Sequence, residues 1–71
     1  MQRKKTVGER IRRLRKSNGM RQKDVAQSLH VAENTISDWE RNRTEPSIES
    51  IVQMAFLFQT STDYLLGKTN S

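Results

Sequence analysis

The stretch at residues 21–42, RQKDVAQSLHVAENTISDWERN, decides the fold of this chain. Its apolar residues recur at the spacing of a helix, first within VAQSL and again within TISDW. A short break, HVA at residues 30–32, separates the two patterns. The sequence therefore predicts two short helices that meet at a tight turn.

The second helix of this pair is amphipathic. At 3.6 residues per turn, Ile36, Trp39 and Glu40 share one face. The opposite face carries Asn34, Ser37, Asp38 and Arg41. Trp39 is expected in the core, although a tryptophan can also stack on the bases of a single strand. Such a pair, with polar groups turned outward, is typical of the helix-turn-helix, which places side chains in the major groove of DNA.

Length and composition limit the possible functions. The 71 residues make one domain, and folding at this size buries only about 60% of the unfolded surface. With 32% hydrophobic residues, the core leaves no room for a deep substrate cavity. There is no Cys and a single His, so no metal site is expected. We predict no enzyme, no catalytic residue, no cofactor and no small-molecule substrate.

The net charge of +5 is unevenly distributed. Most basic residues precede Asp24, namely Arg3, Lys4, Lys5, Arg10, Arg12, Arg13, Arg15, Lys16, Arg21 and Lys23. A polyanionic partner is the simplest interpretation, and a solvated helix face behind a disordered basic start is the alternative. No apolar run approaches the roughly 20 residues that span a bilayer, and the start MQRKK lacks the apolar core of a secretion signal. A cytoplasmic protein without membrane association is expected.

Several separated motifs fall in the register of one known family. They are Gln22 at a helix start, Thr35-Ile36, Trp39-Glu40, Pro46-Ser47 and DYLLG at residues 63–67. With these motifs the chain resembles the Xre/Cro-CI family of bacterial and phage repressors over residues 7–67. The resemblance implies an all-α fold, a compact bundle of about five short helices with a helix-turn-helix, like the lambda repressor DNA-binding domain. It also implies a bacterial or phage-encoded, nucleoid-associated protein.

Around this domain we expect a basic N-terminal arm at residues 1–6 and a tail or start of a linker at residues 68–71. The arm either lies along phosphates or is a frayed terminus without a role.

In the domain, Thr6 is the expected N-cap of the first helix, with Glu9 completing a capping box. Expected stops and further caps are Gly19, Ser47, Ser61 and Gly67. Expected buried stripes are Val7, Ile11 and Leu14, then Ile48, Ile51, Val52, Ala55 and Phe58. Arg10, Arg12, Arg13 and Lys16 are expected to be mostly solvated.

The family pattern bears on three structural positions. A basic residue at Arg15 commonly pairs with the Glu at position 40, so the resemblance implies an Arg15–Glu40 ion pair. The family usually has Gly where this chain has His30, which predicts a left-handed turn that costs some strain. It prefers Ser or Thr at Ala32, the N-cap of the recognition helix, and losing that cap costs about 1 kcal/mol. Glu33 in the first turn recovers part of this through the helix dipole.

The polar face of the second helix suits base edges. Asn34 can bind adenine N6 and N7 together, and Glu33 and Asp38 can accept a hydrogen bond from cytosine N4. These three residues also match family positions that usually touch bases. The predicted base-reading residues are Glu33, Asn34, Ser37 and Asp38. The alternative is that Glu33 only caps the helix and Asp38 only pairs with Arg41 or Asn42 one turn later.

Contacts to the DNA backbone are implied by the resemblance. In the family, the residue at Gln22 lies where a helix N-terminus meets a phosphate, and the loop after the recognition helix runs beside the backbone. The predicted phosphate-contacting residues are Gln22, Lys23, Thr35, Arg41, Asn42, Arg43 and Thr44. Gln22 as a plain helix-start residue and Arg41 as a reader of guanine are alternatives.

Phe56, Leu57 and Tyr64 are candidates for self-association. Met54, Phe56 and Leu57 do not all fit on the predicted stripe, and apolar groups left on a surface often mark a contact. With Tyr64 they indicate a two-fold dimer through the C-terminal helices, at least on DNA. Such a dimer would set two recognition helices about 34 Å apart. The alternative is a slightly wide core stripe.

These features predict a sequence-specific, double-stranded DNA-binding transcriptional regulator, a repressor that occupies a pseudo-palindromic operator as a homodimer. The alternative is a protein-binding module on the same scaffold, of the antitoxin or anti-repressor type, because fold does not fix function. Salt-dependent binding of random DNA distinguishes the two.

Overall fold

The computed structural model of the chain describes residues 6–68, which form helices and no strand. The helices are α1 (Val7–Ser17), α2 (Gln22–Leu29), α3 (Glu33–Glu40), α4 (Ile48–Phe58) and α5 (Thr62–Leu66). The predicted all-α bundle of about five short helices is therefore confirmed. Residues 1–5 of the predicted arm and residues 69–71 of the tail lie outside the described residues.

The helix ends follow the predicted capping chemistry. The Thr6 hydroxyl accepts a hydrogen bond from the backbone N–H of Glu9 at 3.1 Å, and the Glu9 carboxylate accepts one from the Thr6 N–H at 2.8 Å. The hydroxyls of Ser47 and Ser61 cap α4 and α5 in the same way. Gly19 and Gly67 adopt the left-handed conformation just after α1 and α5. These local signals decide where the helices begin and end.

The core draws one fully buried side chain from every helix. These side chains are Ile11, Val25, Ile36, Met54 and Leu65. Trp39 is also buried, as its spacing from Ile36 predicted. The longest of these helices, α1 and α4, have 11 residues each. Within the described part of the chain, no helix has the length and apolar character needed to cross a bilayer.

The predicted stripe of α4 is wrong at three positions. Ile48 and Val52 are 70% and 44% exposed, whereas Met54 is completely buried. The helix packs against α2 and α5 with the face made of Ile51, Met54, Ala55 and Phe58. Because eight of the 11 residues of α4 are apolar, helical periodicity allowed more than one choice of buried face. Ile48, Val52 and Phe56, four residues apart, instead share the face turned to solvent.

Candidate nucleic-acid interface

Helix α3 packs against α1 and α2 and leaves one polar edge open. Ile36, Trp39 and Glu40 are buried beneath it. Glu33 and Asn34 are exposed, and Thr35, Ser37 and Asp38 are half-buried. Across residues 6–68, no hydrogen bond or ion pair engages the side chains of Glu33, Asn34, Ser37 or Asp38, so the alternative pairing of Asp38 with Arg41 or Asn42 is absent there. The predicted base-reading side chains are therefore not engaged by other side chains in the described part of the chain.

The turn into α3 has the two unfavourable features that the sequence predicted, a left-handed residue and a helix start without a side-chain cap. His30 ends α2 in the left-handed conformation at φ 61°. This backbone costs a residue with a Cβ roughly 1–2 kcal/mol. Ala32, the N-cap of α3, makes no side-chain cap. Glu33 is near enough to Arg21 for its carboxylate to help raise the pKa of that guanidinium, after the larger effect of the hydrogen bond with Asp24.

A buried polar network fixes the end of α3. The Arg15 guanidinium donates to both carboxylate oxygens of Glu40, from Nε at 2.6 Å and from Nη2 at 3.1 Å. Its Nη1 also donates to the Met20 carbonyl at 2.8 Å. The Gln22 amide donates from Nε2 to Glu40 Oε1 at 3.1 Å. The network ties α1, the start of α2 and the end of α3 into one unit, with the ion pair that the resemblance implied at its centre.

Gln22 is therefore held in place before any ligand arrives. An amide nitrogen carries two hydrogens, and Glu40 takes one of them. The second hydrogen remains for an acceptor outside the network. This arrangement is compatible with the phosphate contact predicted for Gln22, and it also shows that Gln22 is more than a plain helix-start residue.

Asn42 has an intramolecular role that the sequence analysis missed. Its Oδ1 accepts a hydrogen bond from the Gly8 N–H at 3.3 Å, and its Nδ2 donates to the Thr6 hydroxyl at 3.0 Å. Its backbone is left-handed, with φ 61°. The phosphate contact predicted for Asn42 stays a prediction, and the second hydrogen of its Nδ2 remains for such a contact while the bond to Thr6 is kept.

Other donors flank the acidic polar edge of α3. Lys23 is exposed in the first turn of α2, and Arg41, Arg43 and Thr44 are exposed just after the C-terminal end of α3. No ion pair within the described residues occupies the three cationic groups. The edge thus has acidic and amide groups, and exposed basic groups stand in the first turn of α2 and after the C-terminal end of α3.

The three candidates for self-association differ in exposure. Phe56 is 84% exposed, while Leu57 is half-buried against the core. Tyr64 is half-buried, and the Arg10 guanidinium carbon lies 5.6 Å from the centre of its ring. Phe56 is therefore the candidate with the largest free surface.

Gly8 is a close packing position that the sequence analysis overlooked. It is buried where α1 touches the end of α3. A glycine inside a predicted helix is the signal that could have found it, because such a residue often marks a close packing contact.

Among the described residues, no group of three His, Cys, Asp or Glu is placed to hold a metal ion.

Known transcriptional regulators are similar to this chain in sequence. The transcriptional regulator ImmR of Bacillus subtilis strain 168 is 35% identical over 63 residues, which are 89% of this chain and 50% of ImmR. The repressor protein C2 of Salmonella phage P22 is 42% identical over 60 residues, 84% of this chain and 28% of C2. The chain thus spans half or less of the length of these curated relatives.

The P22 c2 repressor is also similar to this chain in structure. The crystal structure of the P22 c2 repressor in complex with the synthetic operator 9T has a TM-score of 0.85 and 38% sequence identity, covering 92% of this chain and 98% of that one. The model of a family described as helix-turn-helix matches residues 11–65. That match includes α2, α3 and the core positions of α4 and α5. The chain belongs to the helix-turn-helix family, in the Xre/Cro-CI group that its motifs resemble.

Proposed function

We propose that this chain is the DNA-binding domain of a transcriptional repressor that recognises a pseudo-palindromic operator in bacterial or phage DNA. One observation carries the proposal: α3 presents Asn34 and Asp38 to solvent without an internal partner, while Ile36 and Trp39 are buried beneath them. The similar P22 c2 repressor has been solved in complex with a synthetic operator.

Base recognition falls to the polar edge of α3. A bidentate contact from the Asn34 amide to adenine provides about 1–3 kcal/mol of discrimination against a wrong base. Glu33 and Asp38 add acceptors for cytosine, and the Ser37 hydroxyl serves either type of base edge. The DNA phosphates repel the carboxylates of Glu33 and Asp38. These carboxylates therefore weaken binding to unrelated sequences and raise the ratio of specific to non-specific affinity.

The hydrogen-bond donors around that edge position α3 on the DNA by contacting backbone phosphates. They are Gln22, Lys23, Thr35, Arg41, Arg43 and Thr44, with Asn42 holding the end of α3. Contacts of this kind fix the register of a protein on duplex DNA and carry no sequence information directly. Their loss should therefore weaken all sequences alike.

A binding-site selection from random duplexes tests the proposal and its division of roles. Asn34→Ala should relax the base preference at one operator position. Arg43→Ala should weaken binding to all sequences and lower the slope of log affinity against log salt by about one. Gln27→Ala, which removes an exposed amide from α2, is the control and should change neither quantity.

Two results would count against the proposal. An equal loss across all sequences for Asn34→Ala and Arg43→Ala would contradict the assigned roles. Failure to bind random DNA in a salt-dependent way at low ionic strength would favour a protein-binding module on this scaffold.

The proposal includes a homodimer, formed at least on DNA. Ile48, Val52 and Phe56 form an exposed apolar stripe on α4. A cleft of about 550 Å³ lies beside Phe56 and is lined by Val52, Ala55, Phe56, Gln59, Thr60 and Thr62. In a two-fold interface each surface meets its own copy, so Phe56 of one subunit can fill the cleft of the other. Leu57 and Tyr64, which are half-buried, stay the further candidates for this contact.

Sedimentation equilibrium with Phe56→Glu tests the dimer. The variant should be monomeric on a full operator and should keep wild-type affinity for a half-site, because α3 is unchanged. Gln53→Glu, which adds the same charge to an exposed position of α4, is the control. If the complex of Phe56→Glu with the full operator had the same mass as the wild-type complex, the role of Phe56 in the dimer would be refuted.

A further inference from the structure

A polar cleft of about 280 Å³ opens where α1, the start of α2 and the end of α3 meet. Its lining consists of Arg12, Arg15, Lys16, Gln22, Glu40 and Arg41. Arg15 neutralises Glu40 through two hydrogen bonds at the buried floor. Arg12, Lys16 and Arg41 have no acidic partner within residues 6–68. The cleft therefore carries three uncompensated positive charges around a neutral floor.

The arrangement of these charges is unfavourable in the free protein. Arg12 and Lys16 lie four residues apart on one face of α1, and like charges at this spacing destabilise a helix by a few tenths of a kcal/mol. Arg41, at the C-cap of α3, faces them across the cleft. Gln22 adds an amide hydrogen and the positive end of the α2 dipole. An anion in the cleft would relieve this repulsion and meet donors on several sides.

The cleft lies in line with the polar edge of α3. Arg41 follows Asn34 by seven residues, which is two helical turns or about 10 Å along the axis. The major groove is about 12 Å wide. When Asn34 is at a base edge, Arg41 and the cleft therefore come to the wall of the groove, where the phosphates are.

We propose that this cleft holds one backbone phosphate of the operator, with Arg12 and Lys16 of α1 contacting it together with Arg41. The inference rests on the proposed DNA-binding function and names a phosphate site to which α1 contributes. Guanidinium groups donate two parallel hydrogen bonds to phosphate oxygens, and a lysine adds a point charge. Arg12 and Lys16, expected from the sequence to be solvated, thereby become binding residues.

The test replaces single operator phosphates with neutral methylphosphonates and measures affinity by fluorescence anisotropy. Wild-type protein should lose roughly tenfold in affinity at one phosphate in each half-site, as expected for a charge-assisted hydrogen bond. Arg12→Ala and Lys16→Ala should each be weakened on the natural duplex and lose most of the sensitivity to that one substitution. Their salt slopes should fall by about 0.9 per lost contact.

Arg13→Ala is the matched control, because Arg13 is an exposed arginine of α1 that does not line the cleft. It should keep the full methylphosphonate effect. If Arg12→Ala and Lys16→Ala behave like Arg13→Ala, the phosphate site is refuted while DNA binding stands. If wild-type protein binds no duplex, the proposed function fails, and this inference with it.

Discussion

Gly8 of α1 lies directly against the backbone carbonyl of Trp39 at the end of α3. A Cβ atom at Gly8 would overlap the Trp39 carbonyl oxygen and lie 2.8 Å from the Glu40 carbonyl oxygen. The Gly8 N–H also donates to Asn42 Oδ1. The backbone of the first turn of α1 therefore packs against the C-terminal end of α3 and holds it in place.

Gly8→Ala should destabilise the domain. In a free helix, alanine would be favoured over glycine by roughly 0.5–1 kcal/mol. Here the added methyl group meets backbone atoms that cannot rotate away, and overpacking costs typically 1–3 kcal/mol. The clash should win, so thermal unfolding followed by circular dichroism should show a lower Tm.

A matched variant separates the clash from the intrinsic preference of the residues. Ser17→Ala adds helix propensity at an exposed position of the same helix and should leave Tm unchanged or slightly raised. If Gly8→Ala also raised Tm, the contact with Trp39 would not be tight in solution.

Local chemistry explains why so much of the fold could be predicted. The caps at Thr6, Ser47 and Ser61 and the stops at Gly19 and Gly67 involve residues at most a few positions apart, so a sequence pattern contains them completely. The inward position of Trp39 follows from its spacing to Ile36. These features specify the helices and the open edge of α3.

The features that were missed depend on distant parts of the chain. Gly8 and Asn42 are 34 residues apart, and their contact follows from how α1 crosses the end of α3. On α4, apolar residues occur on more than one face, so packing against α2 and α5 decides which face is buried. Val52 was therefore predicted to be buried in place of Met54. The charged cleft at Arg12 likewise exists only once three helices meet.

Removing one member of the Arg15–Glu40 pair should be far worse than removing both. The two side chains are only 11% and 4% exposed. A buried charge without its partner costs about 3–5 kcal/mol, whereas apolar replacement of both members is often close to neutral. Urea unfolding should therefore show large losses for Arg15→Met and Glu40→Leu singly, and a much smaller loss for the double variant. Additive losses would show that the two residues are not coupled.

Asp24 should make stability depend on pH at the acidic end. The side-chain hydrogen bond from Arg21, and then the bond from the Arg21 backbone N–H, lower the pKa of Asp24 from its ordinary value of 3.8. Because the folded pKa is the lower one, this stabilisation is present above 3.8 and is lost as pH falls through the folded value. The effect should be small, since the pair is exposed to solvent.

An NMR titration of the Asp24 carboxyl carbon measures this directly. In Arg21→Ala the pKa should rise toward its ordinary value and stay somewhat below it, because the backbone N–H still donates. Arg13→Ala removes an equal charge elsewhere and should leave the titration unchanged. An unaltered Asp24 pKa in Arg21→Ala would show that the pair does not persist in solution.

Three residues other than glycine have a left-handed backbone within residues 6–68, and replacing each with glycine should not change Tm in the same direction at all three. His30, Asn42 and Gln59 have φ values of 61°, 61° and 56°. Glycine relieves the strain at each position, and a gain of about 1 kcal/mol would raise Tm by roughly 4–8 °C in a domain of this size. His30→Gly and Gln59→Gly should move Tm in this direction.

Asn42→Gly should instead lower Tm, although its backbone gains the same freedom. The variant loses the hydrogen bonds to Gly8 and Thr6 and leaves the partly buried Gly8 N–H without its acceptor. An unsatisfied buried donor costs about 1–3 kcal/mol, which exceeds the relief of strain. Asn42→Ala keeps the strain and loses the same bonds, so it should be the least stable of the set. A rise in Tm for Asn42→Gly equal to that for His30→Gly would mean that the amide of Asn42 does not hold α1 to the end of α3.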